Sequence, residues 1–326
     1  VNGTLGPGDR DYYRIEAQAG KRLVFEVEAR RVGSEIDPIL YVVDSAGKTV
    51  ARSEDAPGLG VDARLEVIFD GNGPYFVGVQ DATYSSLREN FYRLKVGNFS
   101  YADGFFPLGW QRGEKLKVEL FGGNVKKRSE FHPDLTKIDE KVRSISVPVP
   151  GKPGALPLKF VVGASQERLE PKKNTGRTLE SDVLTNGRIA KTGEVDHYTL
   201  AVEAGETWYV AIDSASLGTS SLYALLTLYD EKGTKLASAG DVPPKNSIYS
   251  GLSSDPGEDP FVVLTVPEET HQLTVVVEDL LGRGGRDFGY RLLAKRESGD
   301  FEINVATPYV NIPKNGTAQL AAVIKR

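Results

Sequence analysis

The chain has 326 residues, 40% of them hydrophobic and 26% charged, the composition of a folded globular protein with room for two or three domains. A net charge of −5 gives no electrostatic ground for nucleic acid as a partner, and no apolar run approaches the ~18 residues that cross a bilayer as a helix. The absence of cysteine excludes disulfides, thiolate catalysis and zinc–thiolate sites together.

Taken in chain order, nearly every segment reads as strand. Arg22–Arg30 alternates, with Leu23, Phe25 and Val27 on one face. Asp44–Gly47 reads as a hairpin turn, since Asp bonds its own backbone there and Gly takes the positive-φ position. Tyr75–Val79 and Tyr92–Val96 follow, so residues 1–97 are expected to form an antiparallel sandwich. Residues 98–163 are a different unit. Gly113–Asn124 alternates and ends in a Gly-Gly-Asn turn, and Ser144–Val149 and Leu158–Val162 add strands, enough for a small immunoglobulin-like sandwich. Lys137–Arg143 is charged and short, at most one helical turn. The polar stretch Gly163–Thr185 is either a linker or an extended lead-in to a third unit, residues 164–296. Residues 297–326 read as two strands, Phe301–Val305 and Gly316–Ile324, around Asn315-Gly316. Two strands are marginal alone, so they are expected to open a further immunoglobulin-like domain continued beyond Arg326. At the other end, Val1-Asn2-Gly3 already lies inside the first unit, which predicts a mature or excised piece.

The first and third units carry the same ordered motif. Asp11-Tyr12-Tyr13, Gly20 and Gly33 match Asp196-His197-Tyr198, Gly205 and Gly218 at an offset of 185 residues. Asp44 and Gly47 match Asp230 and Gly233 at 186; Asp81 and Tyr92-Arg93-Leu94 match Asp279 and Tyr290-Arg291-Leu292 at 198. The 12 extra residues of the second copy therefore fall between Gly233 and Asp279, as a longer loop. Copies this far apart are a duplicated domain, since solenoid units repeat every ~20–50 residues. The expected fold is all-β: two jelly-roll-like β-sandwiches of the same topology with an immunoglobulin-like sandwich between them.

These residues carry a family likeness. Gly8-Asp9-Arg10-Asp11-Tyr12-Tyr13, Ala19-Gly20, Gly33-Ser34-Glu35-Ile36-Asp37-Pro38, Asp44–Gly47, Asp81 and Tyr92–Leu94 resemble the bacterial pre-peptidase C-terminal (PPC) domain. The second copy departs from the pattern, with Gly218-Thr219 in place of Gly-Ser and no Asp-Pro pair. The middle unit, with Pro107-Leu108-Gly109 and Leu120-Phe121-Gly122-Gly123-Asn124, is similar to modules of the IPT/TIG kind. The resemblance implies an accessory, non-catalytic binding or spacer segment of a larger exported bacterial protein: secreted, periplasmic or at the cell surface, and serving a protease or other hydrolase. Its partners would be other domains of the same polypeptide. The alternatives are a module that binds polysaccharide or extracellular matrix protein in its own right, or a hydrolase.

Candidate chemistry is sparse. His132, His197 and His271 lie near no Gly-x-Ser-x-Gly elbow and in no His-Glu-x-x-His motif. Gly282–Arg286 is Gly-rich but follows no strand–helix pattern, so it reads as a loop. Carboxylates are the stronger lead, because calcium takes six to eight oxygen ligands. In collagenase members of the PPC family calcium lies between the lead-in segment and the Asp-x-Tyr turn. The resemblance places that site here at Glu170, Asn174 and Asp196. Arg168, Lys172 and Lys173 put positive charge where ligands belong, so a bound ion would be weak. The competing reading has Asp11 and Asp196 bonding backbone amides in turns. The acidic loop Glu54-Asp55…Asp62 reads as a solvated turn. Among aromatics, Trp208 fits a core strand, while Tyr84, Tyr101 and Tyr249 are open candidates for stacking on sugar. Trp110 is the leading candidate, for a sugar ring or for packing at a domain junction.

Overall fold

A computed structural model of the chain describes residues 1–83, 90–127, 129–155, 157–173, 176–240 and 259–297, together with 302–305, 312, 314, 316–318 and 322–325. The described residues form strands, turns and three short 3-10 turns, Arg30–Val32, Leu135–Lys137 and Ala215–Leu217.

The first sandwich holds β1 (Asn2–Thr4), β2 (Arg10–Ala17), β3 (Arg22–Glu28), β4 (Pro38–Val43), β5 (Thr49–Ser53), β6 (Arg64–Ile68), β7 (Gly73–Asp81) and β8 (Phe91–Gly97). Its sheets are ordered β1-β8-β3-β6 and β2-β7-β4-β5. Burial alternates along β2: Asp11, Tyr13 and Ile15 turn inward while Tyr12, Arg14 and Glu16 face out. Phe25, Val27, Leu40, Val42, Val77 and Leu94 fill the space between the sheets.

The middle unit holds β9 (Gly104–Phe106), β10 (Gly109–Gln111), β11 (Val118–Phe121), β12 (Ser129–Phe131), β13 (Ser144–Val147) and β14 (Leu158–Gly163). Two three-stranded sheets, β12-β11-β9 and β10-β14-β13, close over Phe105, Leu120, Leu135 and Phe160. The strand expected from Gly113 begins only at Val118. Lys115 contributes an isolated bridge to Asp134.

The second sandwich holds β15 (Glu167–Leu169), β16 (Leu184–Arg188), β17 (Val195–Ala201), β18 (Thr207–Asp213), β19 (Ala224–Tyr229), β20 (Lys235–Gly240), β21 (Phe261–Thr265), β22 (Gln272–Asp279) and β23 (Gly289–Arg296). Its sheets run β15-β16-β23-β18-β21 and β17-β22-β19-β20. With β15 set aside, the strand order is that of the first sandwich. Register agrees as well: Asp11 faces Val79 and Asp196 faces Val277, the aspartates related by the offset of the first motif and the valines by that of Asp81 and Asp279. Most of the extra residues of this copy fall between β20 and β21. A hairpin of β24 (Glu302–Val305) and β25 (Ala322–Lys325) ends the chain.

Polar locks seal both junctions. Glu26 and Arg64 lie on the outer face of the first sandwich, yet both are buried. Arg64 Nε donates to Glu26 Oε2 at 2.7 Å, its Nη1 donates to Ala102 O at 3.3 Å, and its guanidinium sits 4.5 Å from the centre of the Tyr101 ring. The Gly-Gly-Asn turn docks beside them, Asn124 Nδ2 donating to Glu66 Oε2 at 3.0 Å. At the other junction the buried Asn186 accepts from Leu108 N at 3.2 Å, and Glu167 N donates to Gln111 Oε1 at 2.8 Å. Arg188 stacks 4.1 Å over Phe106, and Arg286 pairs with Glu119.

Candidate functional site

The repeated Asp-x-Tyr motif builds one polar cluster in each sandwich. In β17 the alternating pleat turns Asp196 and Tyr198 inward, and β23 of the opposite sheet supplies Tyr290. Tyr290 Oη donates to Asp196 Oδ2 at 2.6 Å and lies 2.7 Å from Tyr198 Oη. Gly187 lies opposite Tyr290 in β16, where a Cβ would collide with the ring, so only glycine lets the tyrosine lie flat on the strand. The first sandwich repeats this. Tyr92 Oη donates to Asp11 Oδ2 at 2.5 Å and lies 2.6 Å from Tyr13 Oη, with Gly3 under the Tyr92 ring. Both aspartates sit on strands and accept from tyrosine, which corrects the turn reading.

The lead-in segment completes the second cluster. It is extended: β15 pairs in parallel with β16, and Thr178 bridges to Thr199 at the edge of β17. It carries Arg177, whose guanidinium lies between the two expected ligands. Arg177 Nη1 is 2.6 Å from Asp196 Oδ1 and 2.9 Å from Glu170 Oε2. Its Nε donates to Pro171 O at 3.2 Å and Lys173 O at 3.1 Å. Two carboxylates and two carbonyls thus surround a cation that belongs to the protein itself. The expectation of a calcium ion at Glu170, Asn174 and Asp196 changes accordingly. Glu170 and Asp196 do meet, but around an arginine, and Asn174 lies outside the described residues. Lys172 and Lys173, read as the unfavourable charges, are exposed. Among the described residues no group of three or more His, Asp and Glu side chains is placed to hold a metal.

One guanidinium shared by two carboxylates leaves a buried negative charge over. Burial first, and the Asp196 charge second, push the Glu170 carboxyl up to about 7, against the pull of Arg177. Burial also raises Asp196. A carboxyl raised in this way binds its proton more tightly in the folded protein. Its contribution is complete below the unfolded value near 4.5 and is lost as pH rises through about 7. The second sandwich is therefore expected to lose about 2 kcal/mol between pH 5 and pH 8 at about 1.4 kcal/mol per pH unit. Trp208, buried in that core, reports it by fluorescence in urea titrations of a Trp110→Phe background. Glu170→Gln should flatten the profile; an unchanged slope in that variant contradicts the assignment.

The other candidates take structural places. Trp110 is half-buried against the middle core and donates its Nε1 to Glu114 Oε2 at 2.8 Å. Tyr101 is covered by Arg64, and Tyr84 and Tyr249 lie outside the described residues. His132 pairs with Glu130, His197 Nδ1 lies 3.2 Å from Val195 O, and His271 N donates to Glu231. Asp62 of the acidic loop is fully buried, which corrects its reading as solvated. It accepts from the backbone amides of Ala29, Arg30 and Arg31 and from Arg31 Nε. Asp259 performs the same task for Ser214 and Ser216 in the second copy. Neighbouring Asp55 is pushed up to about 6, by burial first and then by the charges of Asp37 and Glu54.

No protein-family model matches the chain, and no characterised protein matches it in sequence. Similar solved structures include the pre-peptidase C-terminal domain of collagenase from Bacillus anthracis, with 11% identity over 40% of this chain and 96% of that one, TM-score 0.25. The tandem CBM51 modules of a family 98 glycoside hydrolase from Streptococcus pneumoniae SP3-BS71 align with 12% identity over 91% of this chain and 83% of that one, TM-score 0.23. The M60 catalytic domain with two CBM51 domains from Clostridium perfringens ZmpB aligns with 12% identity over 88% of this chain, TM-score 0.22. The chain spans 33% of that protein's length.

Proposed function

We propose that the chain is a non-catalytic spacer and binding segment of a larger exported protein, accessory to a protease or other hydrolase. The observation that carries this reading is the pair of sealed junctions. Arg64, Glu26 and Asn124 fasten the first sandwich to the middle unit, and Asn186, Glu167 and Arg188 fasten the middle unit to the second. Buried or half-buried polar contacts of this kind fix one orientation, since leaving any partner unpaired costs about 1–3 kcal/mol. Such a segment holds its ends at a set distance. The ordered motifs that resemble the PPC domain support an accessory role.

The chain has no cysteine, so two can be introduced for spin labels. Ser45→Cys and Lys232→Cys lie on exposed hairpin turns of the two outer sandwiches. Pulsed electron spin resonance is expected to give one narrow distance distribution. A broad distribution would rule out the spacer, and turnover of casein or an ester substrate, abolished by one Ser or His substitution, would rule out the non-catalytic reading.

A further inference from the structure

The two sandwiches share their inner motif but differ on one outer face. Across the first, register sets Tyr12 on β2, Gly78 on β7, Tyr41 on β4 and Arg52 on β5 side by side in one row. A Cβ on Gly78 would run into the Tyr41 ring, so the glycine lets that ring lie flat against β7. Tyr12 stands beside it, 52% exposed, its ring centre 5.8 Å from that of Tyr41 and its plane turned by 80°. One ring flat on the sheet and one upright make an aromatic corner. Arg10 and Arg14 lie two residues to either side of Tyr12 on the same exposed face, and Gln80 lies opposite Arg10.

The same row of the second sandwich reads His197, Val276, Thr227 and Ser238. Val276 and Thr227 are buried there, and Thr227 Oγ1 lies 3.0 Å from Ser238 Oγ. The fold therefore closes without an aromatic row, and the duplicated core does not require the two tyrosines. Nor does the exposure of Tyr12 depend on a neighbouring segment. The lead-in of the second sandwich runs along the edge of β17 and bonds Thr199, yet His197 remains exposed beside it. Three guanidiniums, of Arg10, Arg14 and Arg52, surround the rings. Arg14 pairs with Glu16 at 2.6 Å and Arg52 with Glu54 at 2.8 Å, both in the open. Pairs this exposed are worth at most about 1 kcal/mol, so a stronger anionic partner displaces them.

We propose that this face of the first sandwich binds an acidic polysaccharide, one whose pyranose rings carry carboxylates. The apolar C–H face of a pyranose packs into the corner of Tyr41 and Tyr12, rings that supply contact area at little entropic cost. Sugar carboxylates take Arg14 and Arg52 as forked partners, a geometry that guanidinium matches and ammonium does not. Gln80 is placed to bond hydroxyls. The row crosses four strands, about 14 Å at ~4.8 Å per strand, so it suits a chain of rings and not a single one. This rests on the binding part of the function proposed above and names its ligand. It is separate from the spacer part, because the junctions do not use this face.

The test is calorimetry of the intact chain with an oligogalacturonate and with its neutral methyl ester, which keeps the rings and removes the charge. Saturable binding of the acid is expected, with a Kd on the order of 1 mM or below, and binding of the ester about tenfold weaker. Tyr12→Ala should weaken the acid about tenfold, and Tyr12→Phe should leave it within about twofold. Arg52→Gln should narrow the preference for acid over ester without abolishing binding of the ester. Tyr12 and Arg52 are both exposed, so these variants keep the fold. The spin-label distance between the outer sandwiches should be the same in all of them, so a failure here leaves the spacer reading standing. No saturation at the solubility limit of the oligosaccharide, an ester bound as tightly as the acid, or equal affinity for wild type and Tyr12→Ala would overturn the proposal. Self-association of the chain that Tyr12→Ala abolishes would also overturn it, in favour of a second copy on this face.

Discussion

Arg177→Ala is expected to destabilise the second sandwich by about 3–5 kcal/mol, the cost of removing one partner from a buried ion pair. The guanidinium is the cation within hydrogen-bond reach of both Asp196 Oδ1 and Glu170 Oε2, and the Arg177 and Asp196 side chains are 4% and 0% exposed. Without it two carboxylates face each other in a site that desolvates both. Protonation relieves that repulsion, so the loss should be larger at pH 8 than at pH 5. The substitution also empties a cradle lined by Glu170, Asp196 and the carbonyls of Pro171 and Lys173, oxygen ligands of the type calcium takes. Millimolar calcium is therefore expected to raise the urea midpoint of Arg177→Ala, read by Trp208 fluorescence, and to leave the wild type unchanged. A calcium response of equal size in both proteins would show that Arg177 does not occupy the cation position.

The duplicated core was legible because it is written in local patterns. Asp11-x-Tyr13 and Asp196-x-Tyr198 alternate with strand period, and Asp81 with Tyr92 and Asp279 with Tyr290 close each copy at the same spacing, so equal sequence became equal register. Arg177 was not legible. It reaches Asp196 only because the lead-in wraps two sheet edges, and nothing local distinguishes it from Lys172 and Lys173. Asn2-Gly3 and Asn186-Gly187 were a missed signal. Asn-Gly ordinarily marks a turn, but here both pairs lie in strands, the glycine under a tyrosine ring and Asn186 bonded across a domain junction. Glu26 was hidden for a related reason. In Arg22–Arg30 the alternation puts Leu23, Phe25 and Val27 on the buried face and leaves the glutamates for solvent. The middle unit covers that second face, and neither burial nor its partner is written in the strand itself.

That covered face carries the second large effect. Arg64→Ala is expected to cost about 3–5 kcal/mol in the first sandwich, again by removing one partner of a buried charge. Glu26 is 0% exposed and Arg64 6% exposed, with Arg64 Nη2 and Glu26 Oε2 at 2.7 Å. Lys95 lies 3.9 Å from Glu26 Oε1, which leaves some compensation in the variant. Arg64 also holds the middle unit through Ala102 O and the Tyr101 ring, a stacked cation worth about 0.5–2 kcal/mol by itself. Alanine therefore removes a core partner and a junction contact in one step, and the two losses separate experimentally. Hydrogen exchange in β3 and β6 reads the first, and the width of the spin-label distance distribution between the outer sandwiches reads the second. Glu26→Gln with Arg64→Ala should recover most of the first loss, because a neutral amide is far less costly to bury than a carboxylate. It should leave the broadened distance distribution unchanged, because Ala102 O and Tyr101 would still lack the guanidinium. Recovery of both readouts together would show that the junction is set by the charge of Glu26 and not by the contacts of Arg64.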